Sequence, residues 1–80
     1  MVIDYKSIGK RIKIARVKAD LTQERLAEII DLSPTHLSNI ETGTTRVSLA
    51  TLVNLANALS VTLDDLLCDS VIKVKAPFQK

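Results

Sequence analysis

A helix with a marked start and a marked end lies near the middle of this chain, between Ser33 and Gly43. Ser33 is a good N-cap, because its side-chain oxygen can accept a hydrogen bond from a backbone N–H of the first turn. Pro34 follows at the first helical position, where its missing N–H costs nothing and its fixed φ suits a helix. Gly43 is the usual residue at a C-terminus that needs a positive φ. These signals predict a helix over residues 34–42, and its predicted inward-facing residues are Leu37 and Ile40.

Apolar residues spaced three and four apart predict four further amphipathic helices. The first covers residues 5–18 and stops before Asp20, a residue type that tolerates the left-handed conformation. Thr22, Ser48 and Thr62 are the predicted N-caps of the second, fourth and fifth helices. Their predicted inward-facing residues are Ile8, Ile12 and Ala15; Leu26, Ala27 and Ile30; Leu49, Leu52, Leu55, Ala56 and Leu59; and Leu63, Leu66 and Leu67.

The predicted fold class is all-α, a compact five-helix bundle with a thin core. A chain of 80 residues can form one domain at most, and its 46% apolar content is largely aliphatic. Residues 1–68 are predicted to form that domain, and residues 69–80 form a tail. Partial alternation over residues 71–75 leaves three interpretations of the tail open: a short strand, an ordered extension or a frayed end.

Several functional classes receive no support from the sequence. We find no Ser/His/Asp or Cys/His set, no glycine-rich phosphate loop and no metal-ligand spacing, so no enzyme, cofactor, metal or small-molecule ligand is predicted. Cys68 is interpreted as a packing residue. No apolar run is long enough for a membrane span or a signal peptide, and a lone cysteine suits a reducing compartment. A cytoplasmic protein without a membrane partner is therefore expected.

Charge is distributed unevenly along the chain, although the net charge is only +2. Residues 1–18 carry six basic side chains against Asp4, whereas residues 19–41 carry five acidic side chains against Arg25. A basic segment of this kind is either a solvated helix face or a source of attraction for nucleic acid. For Lys10 and Lys13 the solvated face is the preferred interpretation.

The second and third predicted helices are separated by a short turn and form an angular pair that needs a scaffold. Helices one, four and five can supply it, which leaves one face of helix three free for a DNA major groove. Three runs then carry a resemblance: Leu21-Thr22-Gln23-Glu24-Arg25-Leu26-Ala27, Leu32-Ser33-Pro34 and Leu37-Ser38-Asn39-Ile40-Glu41-Thr42-Gly43. In their order and spacing they resemble the Xre/Cro family of lambda-repressor-like helix-turn-helix domains, and the similarity covers roughly residues 7–68.

The resemblance implies that the protein is a DNA-binding transcriptional regulator, in particular a repressor. Its partner would be a two-fold symmetric operator in double-stranded DNA, bound by a homodimer that forms at least on DNA. The alternative from another class is a protein-interaction module or an antitoxin-type regulator that reuses the same fold. Salt dependence separates the two, because only a DNA reader loses affinity in proportion to its phosphate contacts.

Roles for individual residues also follow from the resemblance. Gln23 is expected to donate to a DNA phosphate, and Arg16 and Glu41 are expected to form a structural ion pair. The loop after helix three offers hydroxyls, N–H groups and a guanidinium to phosphates, with Arg46 as its leading contact. The residues expected to contact phosphate are Gln23, Thr42, Thr44, Thr45 and Arg46, and the residues expected to read bases are Thr35, His36, Ser38 and Asn39.

Three positions depart from the family pattern, one of which affects base reading and two of which affect stability. Many relatives carry a base-contacting Gln where this chain has Pro34, so base reading is expected to shift to Thr35, His36 and Asn39. For each base reader, contact with a phosphate remains open as well. Asp20 and Asp31 occupy positions that relatives often fill with Gly, at a modest expected cost in stability.

Overall fold

The computed structural model of the protein describes residues 2–67 and 71–72. It confirms the predicted all-α fold of five helices and adds one short pair of strands. In chain order the elements are β1 (Val2–Ile3), α1 (Tyr5–Lys18), α2 (Gln23–Ile29), α3 (Pro34–Thr42), α4 (Leu49–Leu59), α5 (Leu63–Leu67) and β2 (Val71–Ile72). No helix in the described part of the chain is long and apolar enough to cross a membrane.

The predicted N-caps are confirmed. The Thr22 hydroxyl accepts a hydrogen bond from the Arg25 N–H at 3.0 Å, and the Ser33 hydroxyl accepts one from the His36 N–H at 3.1 Å. Ser48 caps α4 in the same way. Each cap satisfies one of the N–H groups that a helix start leaves without an internal partner, so sequence alone fixes where these helices begin.

Four helix ends or connections use a left-handed backbone conformation. Gly43 ends α3 at φ 78°, which confirms its predicted role. Asp20 and Asp31, the two positions that the resemblance associates with glycine, adopt φ 59°. Ser60, for which no left-handed conformation was predicted, ends α4 at φ 56°. Side chains other than glycine tolerate this region at a cost, so these three residues carry modest strain.

The core lies where the five helices meet, and each of them contributes to it. Its buried apolar residues are Ile8, Ile12, Leu26, Ala27, Leu37, Ile40, Leu52, Leu55, Ala56, Leu59 and Leu66. Most of the predicted core is confirmed, and Ala15, Ile30, Leu63 and Leu67 are partly buried against it. The prediction for Leu49 is wrong, because this side chain is 70% exposed. It occupies the first position of α4, at the edge of the apolar stripe and beyond the reach of the core.

A glycine in the middle of α1 allows the close approach of α3. A Cβ at Gly9 would lie 2.3 Å from the Ile40 carbonyl oxygen and 2.5 Å from that of Glu41. Both atoms belong to backbone, which cannot move aside without shifting α3. Gly9 therefore sets the spacing between the first helix and the third.

Of the predicted tail, residues 69–80, the structure describes only Val71 and Ile72. Val71–Ile72 form a strand that pairs antiparallel with Val2–Ile3, in the register Val2 to Ile72 and Ile3 to Val71. The strand interpretation is therefore correct for these two residues. Cys68 and the remainder of residues 69–80 lie outside the described residues, and the domain boundary at residue 68 stays a prediction.

Candidate nucleic-acid interface

Helix α3 has one buried side and one uncovered side. Leu37, Ile40 and Glu41 are buried, with exposed fractions of 0%, 1% and 6%. The predicted base readers lie on the other side, where Thr35 and His36 are exposed and Ser38 and Asn39 are half-buried. Pro34 is also exposed. The uncovered surface is therefore made of small polar side chains, imidazole and amide on a helix that is anchored from behind.

The structure brings Arg16 and Glu41 together at the buried side of this helix. Arg16 Nε donates to Glu41 Oε2 at 2.7 Å, and its terminal Nη2 donates to Oε1 at 3.2 Å. Only 11% of the arginine side chain and 2% of the glutamate side chain are exposed. Such a bidentate, desolvated pair fixes the distance between α1 and α3 at this point and the orientation of one helix relative to the other. A further bond from Arg16 Nη1 to the Leu21 carbonyl at 2.8 Å ties in the turn before α2.

Gln23 joins the same carboxylate from the start of α2. Its Nε2 donates to Glu41 Oε1 at 2.9 Å, and the residue is half-buried. A carboxamide nitrogen carries two hydrogens, so one N–H remains for another acceptor. Glu41 thus receives hydrogen bonds from α1 and α2 while lying on α3. This orientation of Gln23 was not predicted, because the sequence gives no sign of a contact between residues 18 positions apart.

The loop after α3 uses most of its predicted phosphate donors internally. The Thr44 and Thr45 N–H groups donate to the Asn39 carbonyl at 3.0 and 3.2 Å. The Thr42 hydroxyl donates to the same carbonyl at 3.1 Å, and its oxygen lies 2.8 Å from the Thr44 hydroxyl. Because the hydrogen of Thr42 is already used, Thr44 is the donor in that second contact. Phosphate contact by either hydroxyl would require one of these bonds to break.

Arg46 is the residue of this loop with the largest donor capacity. It is exposed, and its guanidinium carbon lies 5.8 Å from the centre of the Tyr5 ring. A guanidinium over an aromatic ring is attracted by the ring's quadrupole. The N–H groups at the edge of the guanidinium plane remain able to donate hydrogen bonds. Tyr5 was not predicted as part of the site, although an aromatic residue and an arginine are the usual partners in such a contact.

The first helix also begins beside this loop. A Cβ at Gly43 would lie 2.7 Å from Lys6 Cα, so the end of α3 packs directly on the start of α1. Asp4 caps α1 by accepting from the Lys6 and Ser7 N–H groups at 3.1 and 3.2 Å. The hydrogen bond from the Ser7 hydroxyl, at 2.9 Å, is the main cause that lowers the pKa of Asp4 below its ordinary value. The cap is therefore charged at neutral pH.

No group of three or more His, Cys, Asp or Glu side chains within the described residues could hold a metal ion. Every buried side-chain nitrogen and oxygen in that part of the chain has a hydrogen-bond partner.

Comparison with known proteins places the chain among DNA-associated regulators. The helix-turn-helix family model HTH_3 matches residues 12–66. Control protein C.MunI from a Mycoplasma species is 42% identical over 61 residues, which cover 76% of this chain and 82% of that protein. The HTH-type transcriptional regulator ImmR from Bacillus subtilis is 41% identical over 61 residues, or 76% of this chain and 48% of ImmR. The chain therefore spans about half the length of ImmR.

Among solved structures, the chain is similar to the master regulator for biofilm formation SinR, whose crystal structure is in complex with DNA. The TM-score is 0.70 at 33% sequence identity, and the match covers 75% of this chain and 97% of the SinR chain.

Proposed function

The chain belongs to the Xre/Cro-like helix-turn-helix family, and on this premise we propose that it binds specific sites in double-stranded DNA as a transcriptional regulator, in particular as a repressor. Helix α3 enters the major groove with its uncovered side facing the base edges. An α-helix fits this groove, where every base pair presents a distinct pattern of donors and acceptors.

The observation that carries the proposal is the asymmetry of α3. Its inner side is held by the core and by the carboxylate of Glu41, while its outer side carries Thr35 and His36 with no covering element among the described residues. A helix presented in this way keeps its position when it meets a duplex. Little conformational entropy is then lost on binding, which favours affinity.

Phosphate contacts come from two places on either side of α3. Gln23 is held by its hydrogen bond to Glu41 and has one N–H left to donate to a phosphate. Because its side chain is already fixed in one rotamer, little side-chain entropy is lost when it binds. Arg46 supplies charge from the loop at the other end of α3. These contacts set the register of α3 on the duplex and carry no sequence information themselves.

Base contacts come from the first turns of α3. The Thr35 methyl can meet a thymine methyl, and the His36 imidazole can donate to a purine N7 or to a phosphate. Asn39 can bond an adenine edge bidentately through the exposed part of its side chain. With Pro34 unable to donate through its side chain, recognition rests on these three residues.

We further propose that two copies bind a two-fold symmetric operator, with half-sites about one helical turn apart. One α3 reads only a few base pairs, so pairing two copies supplies the specificity that a single small domain lacks. Sedimentation on duplexes with one and with two half-sites tests this. A dimer on the two-site duplex is expected, and a stable tetramer in the absence of DNA would contradict it.

Selection of bound duplexes from a random pool tests the proposed function itself. The expected result is an enriched motif with two-fold symmetry that competes against random duplex by at least about a thousandfold. Recovery of a pool as random as the starting material would overturn sequence-specific binding. A reporter gene behind the selected site then measures repression, and increased expression would reverse that part of the proposal.

A further inference from the structure

The outer surface of α1, away from the core, combines lysines with exposed aliphatic side chains. Ile14 is 45% and Val17 is 56% exposed, and Lys10, Lys13 and Lys18 surround them. No acidic residue lies within α1 itself. Among the described residues, none of these three lysines forms an ion pair with a carboxylate. The helix thus presents a positively charged surface with an apolar centre.

This surface continues into a groove between α1 and α5, which we call the α1–α5 groove. Its apolar lining comes from Ile14, Ala15, Ala19, Leu59, Val61 and Leu66. Its charged lining comes from Arg11, Lys18 and Asp65. The carboxylate of Asp65 accepts from the Thr62 N–H at 3.0 Å and lies close enough to Arg11 for the two charges to attract. Lys18 and the neighbouring lysines of α1 therefore make the side of the groove along α1 positive.

The groove lies on a different side of α1 from the helix that is proposed to read DNA. Gly9 and Arg16 face α3, whereas Arg11 and Ala15 line the groove toward α5. Duplex DNA could neutralise the lysines, but it offers no apolar stripe to cover Ile14 and Val17. An occupant of the groove must supply both negative charge and aliphatic surface.

Neither residues 73–80 nor a second copy packed face to face meets that requirement. Residues 73–80 carry Lys73, Lys75 and Lys80 and no acidic residue, so they would place positive charge against positive charge. A second copy packed face to face about a two-fold axis would oppose the same lysines to one another. Like charges in such a contact disfavour it by several kcal/mol.

We propose that the outer surface of α1, together with the adjoining α1–α5 groove, binds an acidic amphipathic helix of another protein. The partner helix lays an apolar stripe along Ile14 and Val17, and its flanking carboxylates face Lys10, Lys13 and Lys18. This is the helix-in-groove mode of recognition, with charge selecting the partner. Because the groove is apart from the outer side of α3, the partner and DNA can bind at the same time.

Two synthetic amphipathic helices with the same leucine stripe test the proposal, one flanked by glutamate and the other by lysine. Isotope-labelled protein is titrated with each peptide, and amide shifts are followed by NMR. The glutamate peptide is expected to bind and to shift residues of α1 and α5, while the lysine peptide does not bind. Equal binding of both peptides, binding of neither, or shifts confined to other helices would overturn the proposal.

A matched pair of variants locates the contact. Ile14→Ser is expected to weaken the glutamate peptide about fivefold or more, because about half an isoleucine side chain loses its burial. Ile29→Ser is the control, since Ile29 is 47% exposed on α2 and lies outside the groove. Lys13→Ala is expected to weaken binding about two- to fivefold at low salt. Equal effects of Ile14→Ser and Ile29→Ser would contradict the assigned site.

Two competition arms separate this site from other anionic surfaces. A duplex carrying the selected operator is expected to leave the affinity for the glutamate peptide unchanged, and displacement of the peptide by DNA would overturn the separate site. Vesicles of phosphatidylcholine with phosphatidylserine are expected to bind more weakly than the peptide, and preferential vesicle binding would reassign the surface to membranes. The peptide titration and the vesicle arm do not depend on the outcome of the DNA selection, so failure of the DNA proposal and failure of this one are distinguishable.

Discussion

The two sides of α3 differ in how tightly the rest of the molecule constrains them. On the inner side, Glu41 receives hydrogen bonds from Arg16 and Gln23, and Gly9 allows backbone contact with α1. On the outer side, Thr35 and His36 are exposed. The inner side can change only at the cost of the fold, whereas the outer side can change recognition and leave the fold intact.

This contrast explains how a chain of 80 residues can present a rigid probe. A small domain buries few apolar side chains, so packing alone holds its helices loosely in orientation. The desolvated ion pair of Arg16 and Glu41 has fixed hydrogen-bond directions and therefore orients α3 where aliphatic packing does not.

The largest effect is expected for Glu41→Ala. Removing the carboxylate leaves the buried Arg16 guanidinium without its partner and should lower the free energy of unfolding by about 3–5 kcal/mol. Chemical denaturation measures the change. Glu28→Ala is the control, because Glu28 pairs with Arg25 at the surface, where its side chain is 70% exposed, and should change stability by under about 1 kcal/mol. Equal losses in the two variants would contradict the distinction.

Variants of the residues proposed to contact DNA should change recognition, and Asn39→Ala, on the outer side, should also leave stability nearly intact. Asn39→Ala is expected to relax sequence preference at one base pair by about 1–3 kcal/mol. Gln23→Ala is expected to weaken binding to all sequences alike, because a phosphate contact is lost. Competition with single-base variants of the selected duplex distinguishes the two. The reverse pattern would exchange the assigned roles.

Loss of the cap at the start of α3 should have an intermediate effect. Ser33→Ala removes the acceptor for the His36 N–H and is expected to cost about 1 kcal/mol of stability. Thermal unfolding measures the cost. Since the cap orients the first turn, affinity for the selected duplex should fall along with stability. An unchanged melting temperature would show that Pro34 alone starts the helix.

The smallest effect concerns the start of α1. The pKa of Asp4 is lowered mainly by the Ser7 hydroxyl, so the charged cap adds stability above the ordinary carboxyl pKa. That contribution is lost as pH falls through the lowered pKa in the folded state. Asp4→Asn should therefore flatten the dependence of stability on pH in the acidic range. Identical acid profiles for the variant and the wild type would contradict the assigned cap.

Local signals made most of the fold predictable from the sequence. Thr22, Ser33 and Ser48 cap their helices through contacts within a few residues, and Gly43 ends α3 for a reason that lies in its own backbone. These features require no knowledge of distant residues. The exposure of Leu49 was not predictable in this way. The spacing of apolar residues indicates which face of a helix points toward the core, but it does not indicate how far along the helix the core extends.

Contacts between distant residues could not be read from the sequence alone. The pairing of Arg16 with Glu41 was expected only through resemblance to a family, and the third participant, Gln23, had been assigned to phosphate alone. The role of Gly9 depends on carbonyl oxygens of α3, 31 or more residues away. The hydrogen bonds within the loop after α3, which occupy Thr42 and Thr44, emerge only when the backbone path is known.

The most direct test of a rigid helix presented to a duplex groove is the salt dependence of binding to the selected operator. Counterions are released where a cation neutralises a phosphate, so Arg46 in each of two copies gives about two such contacts and a slope of log affinity against log salt of about −1.8, whereas the uncharged Gln23 adds nothing to the slope. Arg46→Ala should remove most of this slope, and Gln23→Ala should leave it unchanged. Affinity that stays constant as salt rises would contradict the account.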